Sequence, residues 1–260
     1  MLYAVALGAV SALLTTAAYA QVVALDDAAR LYARGDYAQA ADIARGLGDA
    51  RADALAARAL LAEARKAPRD ERSALVEAAL AAAQSAINRD EAQIEGHLQL
   101  AVALGFKGRA MGNLAAHQQG LGSIARTTID AALALEPDNA WARALLGTWH
   151  LEIVNGAGPL LAAALYGADR AVGVAELRSA VATANANVIV LHQCALQLLT
   201  HDAKAFAPEA ERWLVIAARA PQPDAFERFT MRQADKLLRA LRTGNASLLR
   251  REIERQQTSY

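Results

Sequence analysis

Residues 125–150 read ARTTIDAALALEPDNAWARALLGTWH. Ala125, Ile129, Ala132 and Pro137 follow one another by four, three and five residues. The first two steps stay on one face of a helix. Pro137 ends it, because proline has no N–H to extend the hydrogen-bond ladder. Asn139 is then a natural N-cap, since its side-chain oxygen can accept a backbone N–H of the next turn. The helix it opens carries Leu146-Gly147. A glycine there lets a neighbouring helix approach with no side chain between the two backbones. The stretch therefore predicts two helices joined by a short link and packed through small residues.

The same grammar extends outward. Past residue 21 the chain lacks alternating apolar and polar runs, and alanine, leucine, arginine and glutamate, all strong helix formers, dominate. Helices are predicted at 24–34, 37–47, 50–66, 69–88, 91–108, 119–135, 140–154, 159–167, 171–184, 188–201, 207–219 and 224–242, with a tail helix at 245–256. Pro68, Pro137, Pro208, Pro221 and Pro223 separate them, and Pro159 opens an apolar segment. Short links between amphipathic helices make antiparallel neighbours. Gly35-Asp36-Tyr37, followed by Ala40 and preceded by Leu31, reads as the turn between the two helices of one pair. Ala210, Leu214, Ala217 and Pro221 come near the spacing of the opening stretch, with a last step of four residues in place of five. These signatures resemble the tetratricopeptide pattern. Two positions depart from it: His150 stands where an aromatic is usual, and no tryptophan fills the first signature position. The expected fold is all-α, a tetratricopeptide-like right-handed α-solenoid of antiparallel helix pairs. Residues 21–243 form the repeat domain and 244–260 a helical tail. Gly35, Tyr37, Ala40, Ala125, Ala132, Leu146, Gly147 and Trp149 are its expected packing residues.

Composition narrows the function. The chain has 260 residues, 55% hydrophobic but only 5% aromatic, with 27 basic against 27 acidic residues. Alanine alone is about a quarter of it. Apolar content this high excludes disorder. The lone Cys194 excludes a disulfide framework. Balanced charge argues against a general polyanion binder.

Residues 1–20, MLYAVALGAVSALLTTAAYA, carry no charged side chain. The apolar run from Leu2 to Leu14 suits a signal peptide and is short for a bilayer span. Ala18-Tyr19-Ala20 is the small-x-small pattern that precedes cleavage. Residues 1–20 are therefore read as a signal peptide cleaved after Ala20, which places the protein in the periplasm or outside the cell. The alternative is an inner-membrane anchor formed by residues 2–18, because no Lys or Arg precedes the run.

Residues 95 to 220 carry a more specific resemblance. They include His97-Leu98-Gln99-Leu100-Ala101-Val102-Ala103-Leu104-Gly105, then Lys107-Gly108, and later Ile129-Asp130-Ala131-Ala132-Leu133-Ala134-Leu135-Glu136-Pro137. Leu145-Leu146-Gly147-Thr148-Trp149-His150 follows, and then an apolar insert at Leu160 to Gly167. Together these resemble the tetratricopeptide-like domain of the regulator of microtubule dynamics family. The resemblance implies a helical interaction scaffold and supplies no catalytic residue.

The chemical constellations point the same way. His97, His117, His150, His192 and His201 form no metal-binding pair at helical spacing, and no nucleophile elbow or phosphate loop occurs. Gly105, Gly108 and Gly112 follow no strand and read as a broken helix end leading into an irregular, partner-contacting loop, Gly112 to Gly122. Asp26-Asp27 and Asp90-Glu91 are expected at helix starts, where carboxylates offset the helix dipole. Cys194 is expected in the core. The arginines of 228–255 alternate with acids as a solvated, paired face. No enzyme activity, cofactor, metal or nucleic acid is expected. The partner is a protein or peptide, held on the concave face by Trp141, Thr148 and Glu152, with Trp149 at a shoulder against the insert. The apolar segment Leu160–Tyr166 is expected to cover the core, with contact to a partner or to a membrane surface as the alternative. A membrane-anchored scaffold and a helical carrier of a small apolar ligand are the rival readings.

Overall fold

A computed structural model describes residues 20–219 and 224–258. The leader up to residue 19 and the prolines Pro221 and Pro223 lie outside the described residues. The described chain is all-α, with thirteen helices packed in sequential pairs. α1 covers residues 20–34. It is followed by α2 (Tyr37–Arg45), α3 (Ala50–Ala64), α4 (Arg69–Arg89) and α5 (Ile94–Met111). Next come α6 (Asn113–Gln118), α7 (Leu121–Leu135), α8 (Ala140–Ala157), α9 (Pro159–Tyr166) and α10 (Arg170–Thr183). α11 (Val188–Ala217), α12 (Ala225–Arg242) and α13 (Ala246–Thr258) close the order.

Side-chain oxygens start these helices where the sequence places Asn or Asp. Asn139 Oδ1 accepts from the Trp141 and Ala142 amides at 3.0 Å each. Asp49, Asn187 and Asn245 cap α3, α11 and α13 in the same way. Asp224 and Glu227 form a reciprocal capping box on α12. Such caps satisfy amides that have no partner within the helix.

Each long helix packs on the next long helix. The first helices of successive pairs, α3, α5, α8 and α11, also touch one another. Alanine makes this closeness available: Ala28, Ala40, Ala44, Ala52, Ala59, Ala79 and Ala83 are fully buried at the contacts. α8 and α10 approach most closely. A β-carbon on Gly147 would lie 2.7 Å from Leu177 Cγ and 2.8 Å from the Gly173 carbonyl oxygen, and one on Gly173 would lie 2.9 Å from His150 Cβ. The sequence reading assigned Gly147 this duty and missed its counterpart Gly173.

The first limb of α11 is the central helix. Val188–Leu199 is buried on nearly every side, as expected of a helix without a polar face. Cys194 lies within it, and burial pushes its thiol pKa up. His192 is enclosed there too, with Nε2 2.7 Å from Gln256 Oε1 of α13. Gln256 is fixed in turn by donating to the Gln233 carbonyl at 2.9 Å. The segment 244–258 is thus docked on the core through α13, where Leu249, Ile253 and Gln256 are buried. At the other end of the order, the turn between α1 and α2 meets the start of α12. Gly35 takes φ +101°, and a β-carbon on it would stand 3.1 Å from Ala225 Cβ. Tyr37 is edge-on to Phe226.

Four sequence expectations change. Gly112–Gly122 is not an irregular loop: Gly112 and Gly120 hold positive φ at either end of α6, so the glycines bracket a helix instead of dissolving one. Residues 188–217 form one element broken at Asp202 (φ −157°, ψ 90°), and Pro208 sits inside its second limb. Asp26 and Asp27 lie within α1, which is already helical at residue 20, and Asp27 pairs with Arg30. Asp90 ends α4 and accepts from the Ala92 amide at 3.0 Å, ahead of α5.

Two outcomes follow from this packing. Gly147→Leu should lower stability by about 1–3 kcal/mol through overpacking, read as a shifted urea midpoint, and Gly147→Ala should act in the same direction. The second concerns acid. Burial lowers the His192 pKa to about 4. The unfolded chain binds a proton below about pH 6.5 that the folded core refuses until about 4, so stability present above 6.5 is lost as the pH falls through that window. Burial also lowers His150 and His201, which adds with the same sign. Urea unfolding at pH 7.5 and 5.0 should differ by about 2 kcal/mol from His192, and His192→Gln should flatten the difference.

Candidate functional site

One cleft opens between the first helices of three successive pairs. The empty space between its walls is about 760 Å3 with open solvent counted in. α8 contributes Trp141, Leu145, Thr148 and Glu152, a stripe at helical spacing. α5 contributes Ala101, Val102, Gly105, Phe106 and Arg109, and α11 contributes Ile189, Val190 and Gln193. Arg65, just past α3, reaches the same space. Its guanidinium lies 5.5 Å from the Phe106 ring centroid and 5.1 Å from that of Phe226, spanning from α5 to α12.

The walls are apolar and the polar groups are few. Arg109 Nη1 donates to Glu152 Oε1 at 2.9 Å, and Gln197 Nε2 donates to the same oxygen at 3.3 Å. Thr148 is 9% exposed, and its Oγ1 is buried with no hydrogen-bond partner. A buried hydroxyl without a partner costs free energy and is an exception among folded proteins. A second, polar recess is lined by Arg58, Glu95, Gln99, Asn187 and Glu227. Trp141 and Ile189 line both recesses and stand between them.

The three residues expected to touch a partner, Trp141, Thr148 and Glu152, therefore come together on one wall of one cleft. Trp149 also reaches the cleft, while its ring is edge-on to Tyr166 of α9. Its Nε1 donates to the Gly122 carbonyl at 2.8 Å. Among the packing residues, Tyr37, Ala40, Ala132, Leu146 and Trp149 are buried, and Ala125 is half-buried against the cleft. The sequence reading missed Phe106, Arg109, Ile189 and Val190. The signal was their helical spacing on α5 and α11, but spacing alone does not tell which buried faces leave space between them.

The other constellations resolve into structural contacts. His97 Nε2 lies 2.9 Å from the Glu91 carbonyl, and His150 Nδ1 accepts from the Asp169 amide at 3.0 Å. His201 Nδ1 lies 2.7 Å from Asn155 Oδ1. His117 Nδ1 meets the Tyr166 hydroxyl. Among the described residues no three His, Cys, Asp or Glu side chains gather as a metal site. The C-terminal arginines pair as a solvated face does, Arg239 with Asp235 at 2.6 Å and Arg242 with Glu211 at 2.8 Å. The apolar insert does not cover the core as expected. α9 buries only Ala162, packs Tyr166 partly against Trp149 of α8 and turns its leucines outward.

This arrangement is that of an all-helical domain with a cleft assembled from several helices and no metal-binding cluster among the described residues. Residues 26–167, more than half of the chain, match the sequence model of Regulator of microtubule dynamics protein 1-3, and the chain belongs to that family. The match runs from α1 to the end of α9. It starts well before residue 95, where the sequence resemblance was thought to begin, and stops short of 220. No curated protein sequence matches the chain.

Trp149→Phe should keep the ring contact with Tyr166 and lose the bond to Gly122. Losing this second donor to a carbonyl inside α7 should cost about 0.5–1.5 kcal/mol, measured as a lower thermal midpoint with unchanged helical circular dichroism.

Proposed function

We propose that this protein is a non-catalytic scaffold that holds a protein or peptide partner in the cleft of α5, α8 and α11. In this reading the helix pairs form a tetratricopeptide-like right-handed α-solenoid, and the first helix of each pair lines its concave side. The observation that carries the reading is the cleft itself: three helices from different pairs converge on apolar walls with one ion pair and one unpartnered hydroxyl. Shape and apolar contact would supply most of the affinity, with the Arg109–Glu152 pair and Thr148 setting orientation. Membership of a family named for a regulator supports a binding role over a catalytic one. We place the protein in the periplasm or outside the cell, after cleavage of residues 1–20. An inner-membrane anchor formed by residues 2–18 is the alternative, and the mass of the mature protein separates the two.

The test is crosslinking in the native compartment with wild-type protein and with Ala144→Phe, which fills the cleft, and Trp141→Ala, which opens its wall. A discrete partner crosslinked to the wild type and lost from both variants is the expected result. An unchanged partner set would remove the cleft from the binding site. The apolar walls also suit a small apolar ligand. Native mass spectrometry would then show a bound mass in the wild type and none in Ala144→Phe.

A further inference from the structure

α6 and α9 are two copies of one device. Each is a short helix inserted between the two long helices of a pair, α6 between α5 and α7 and α9 between α8 and α10. Their leading glycines have nearly the same backbone, Gly112 at φ 80°, ψ 160° and Gly158 at φ 79°, ψ 158°. Their other ends are marked by left-handed glycines, Gly120 at φ 65°, ψ 18° and Gly167 at φ 64°, ψ 22°. The two inserts meet. A β-carbon on Gly156, in the last turn of α8 just ahead of α9, would stand 2.9 Å from Asn113 Nδ2 at the start of α6. His117 and Tyr166 bond at their far ends with rings edge-on. Gly122 leaves room for Tyr166, whose ring a β-carbon there would approach to 3.0 Å. The inserts are thus held on the protein through Tyr166 and Trp149, and their outer side is free.

That outer side carries four exposed leucines, three on α9 and one on α6 beside the uncharged polar Asn113, Gln118 and Gln119. Leu114 is 72% exposed, Leu160 86%, Leu161 57% and Leu165 59%. Residues 111–125 and 154–168 contain no Asp, Glu, Lys or Arg, in a chain where 21% of residues are charged. At that frequency about six would be expected across the two stretches.

We propose that α6 and α9 form a platform that docks the protein on a lipid surface, with the four leucines entering the boundary between headgroups and acyl chains. Two observations favour lipid over a second copy of the chain. The leucines expose a few hundred Å2, short of the roughly 800 Å2 that each partner of a stable dimer buries. Both inserts also lack the charged residues that could pair across a protein interface and fix its register, whereas a fluid apolar layer requires no register. α9 has eight residues, too few to span a bilayer and enough to lie in its surface.

The full chain carrying Leu161→Cys, labelled with an environment-sensitive fluorophore, tests this. Cys194 is fully buried, so the dye goes to the introduced thiol. Leu248→Cys on α13, 41% exposed in the wild type, is the control site. On adding vesicles of phosphatidylcholine and phosphatidylglycerol, emission should shift to the blue and rise severalfold at 161 and stay unchanged at 248. Unlabelled Leu160→Ser/Leu165→Ser protein should float with the vesicles at least threefold less than wild type while keeping its helical circular dichroism. No shift at 161, an equal shift at both sites, or undiminished flotation of the double variant would overturn the proposal. A shift at 161 that grows with protein concentration without vesicles would overturn it in favour of self-association.

Discussion

Where α8 crosses α10, Gly147 and Gly173 bring two backbones together with no side chain between them. The rest of the molecule depends on contacts of this kind. A chain with 5% aromatic residues cannot fill wide gaps between helices with large rings. It must instead bring the helices close, so that small side chains reach packing density. Alanine does this in the first pairs and glycine does it at α8 and α10. With the pairs drawn tight, the first helix of each pair is held against the next, and α3, α5, α8 and α11 gather around a common space. The cleft lies where α5, α8 and the first limb of α11 converge.

Trp149 joins the cleft to the inserts. One part of its ring contributes to the cleft wall, its indole N–H ties the start of α7, and its edge meets Tyr166 on α9. The fourth pair therefore builds its part of the cleft wall and supports its insert with the same side chain. The inserts lengthen the connections within the third and fourth pairs and leave the long-helix packing as it is elsewhere. Glycines at both ends of each insert turn the chain out and back again, at φ values that a side chain would strain.

Much of this could be read in the sequence for local reasons. Helix positions follow from period, proline and cap, all of which act within a few residues. Asn139 caps α8 and Asn187 caps α11 whatever lies around them. Gly147 was legible because a glycine inside a strong helical pattern asks for a close neighbour. The stripe Trp141, Thr148 and Glu152 was legible because helical spacing puts those residues on one face. The loop reading at 112–122 failed for a reason that is also physical. Gly112 and Gly120 look like breakers in sequence, yet their left-handed conformation marks the ends of a short helix as readily as it marks a coil.

The sequence by itself determined the helices, their small-residue contact faces, the pairing of neighbours and the family, because short-range periodicity and capping decide these. Tertiary structure alone decided which buried faces leave a cleft. Phe106 and Arg109 on α5 become its lining only when α11 arrives more than eighty residues later in the chain. It also decided that Gly35 and Tyr37 rest against Ala225 and Phe226, that Gln256 of α13 satisfies His192, and that α9 shows its leucines to solvent. Each of these is a contact between segments far apart in sequence, or the absence of one. Local patterns carry no record of which distant surface arrives or of how much room it leaves.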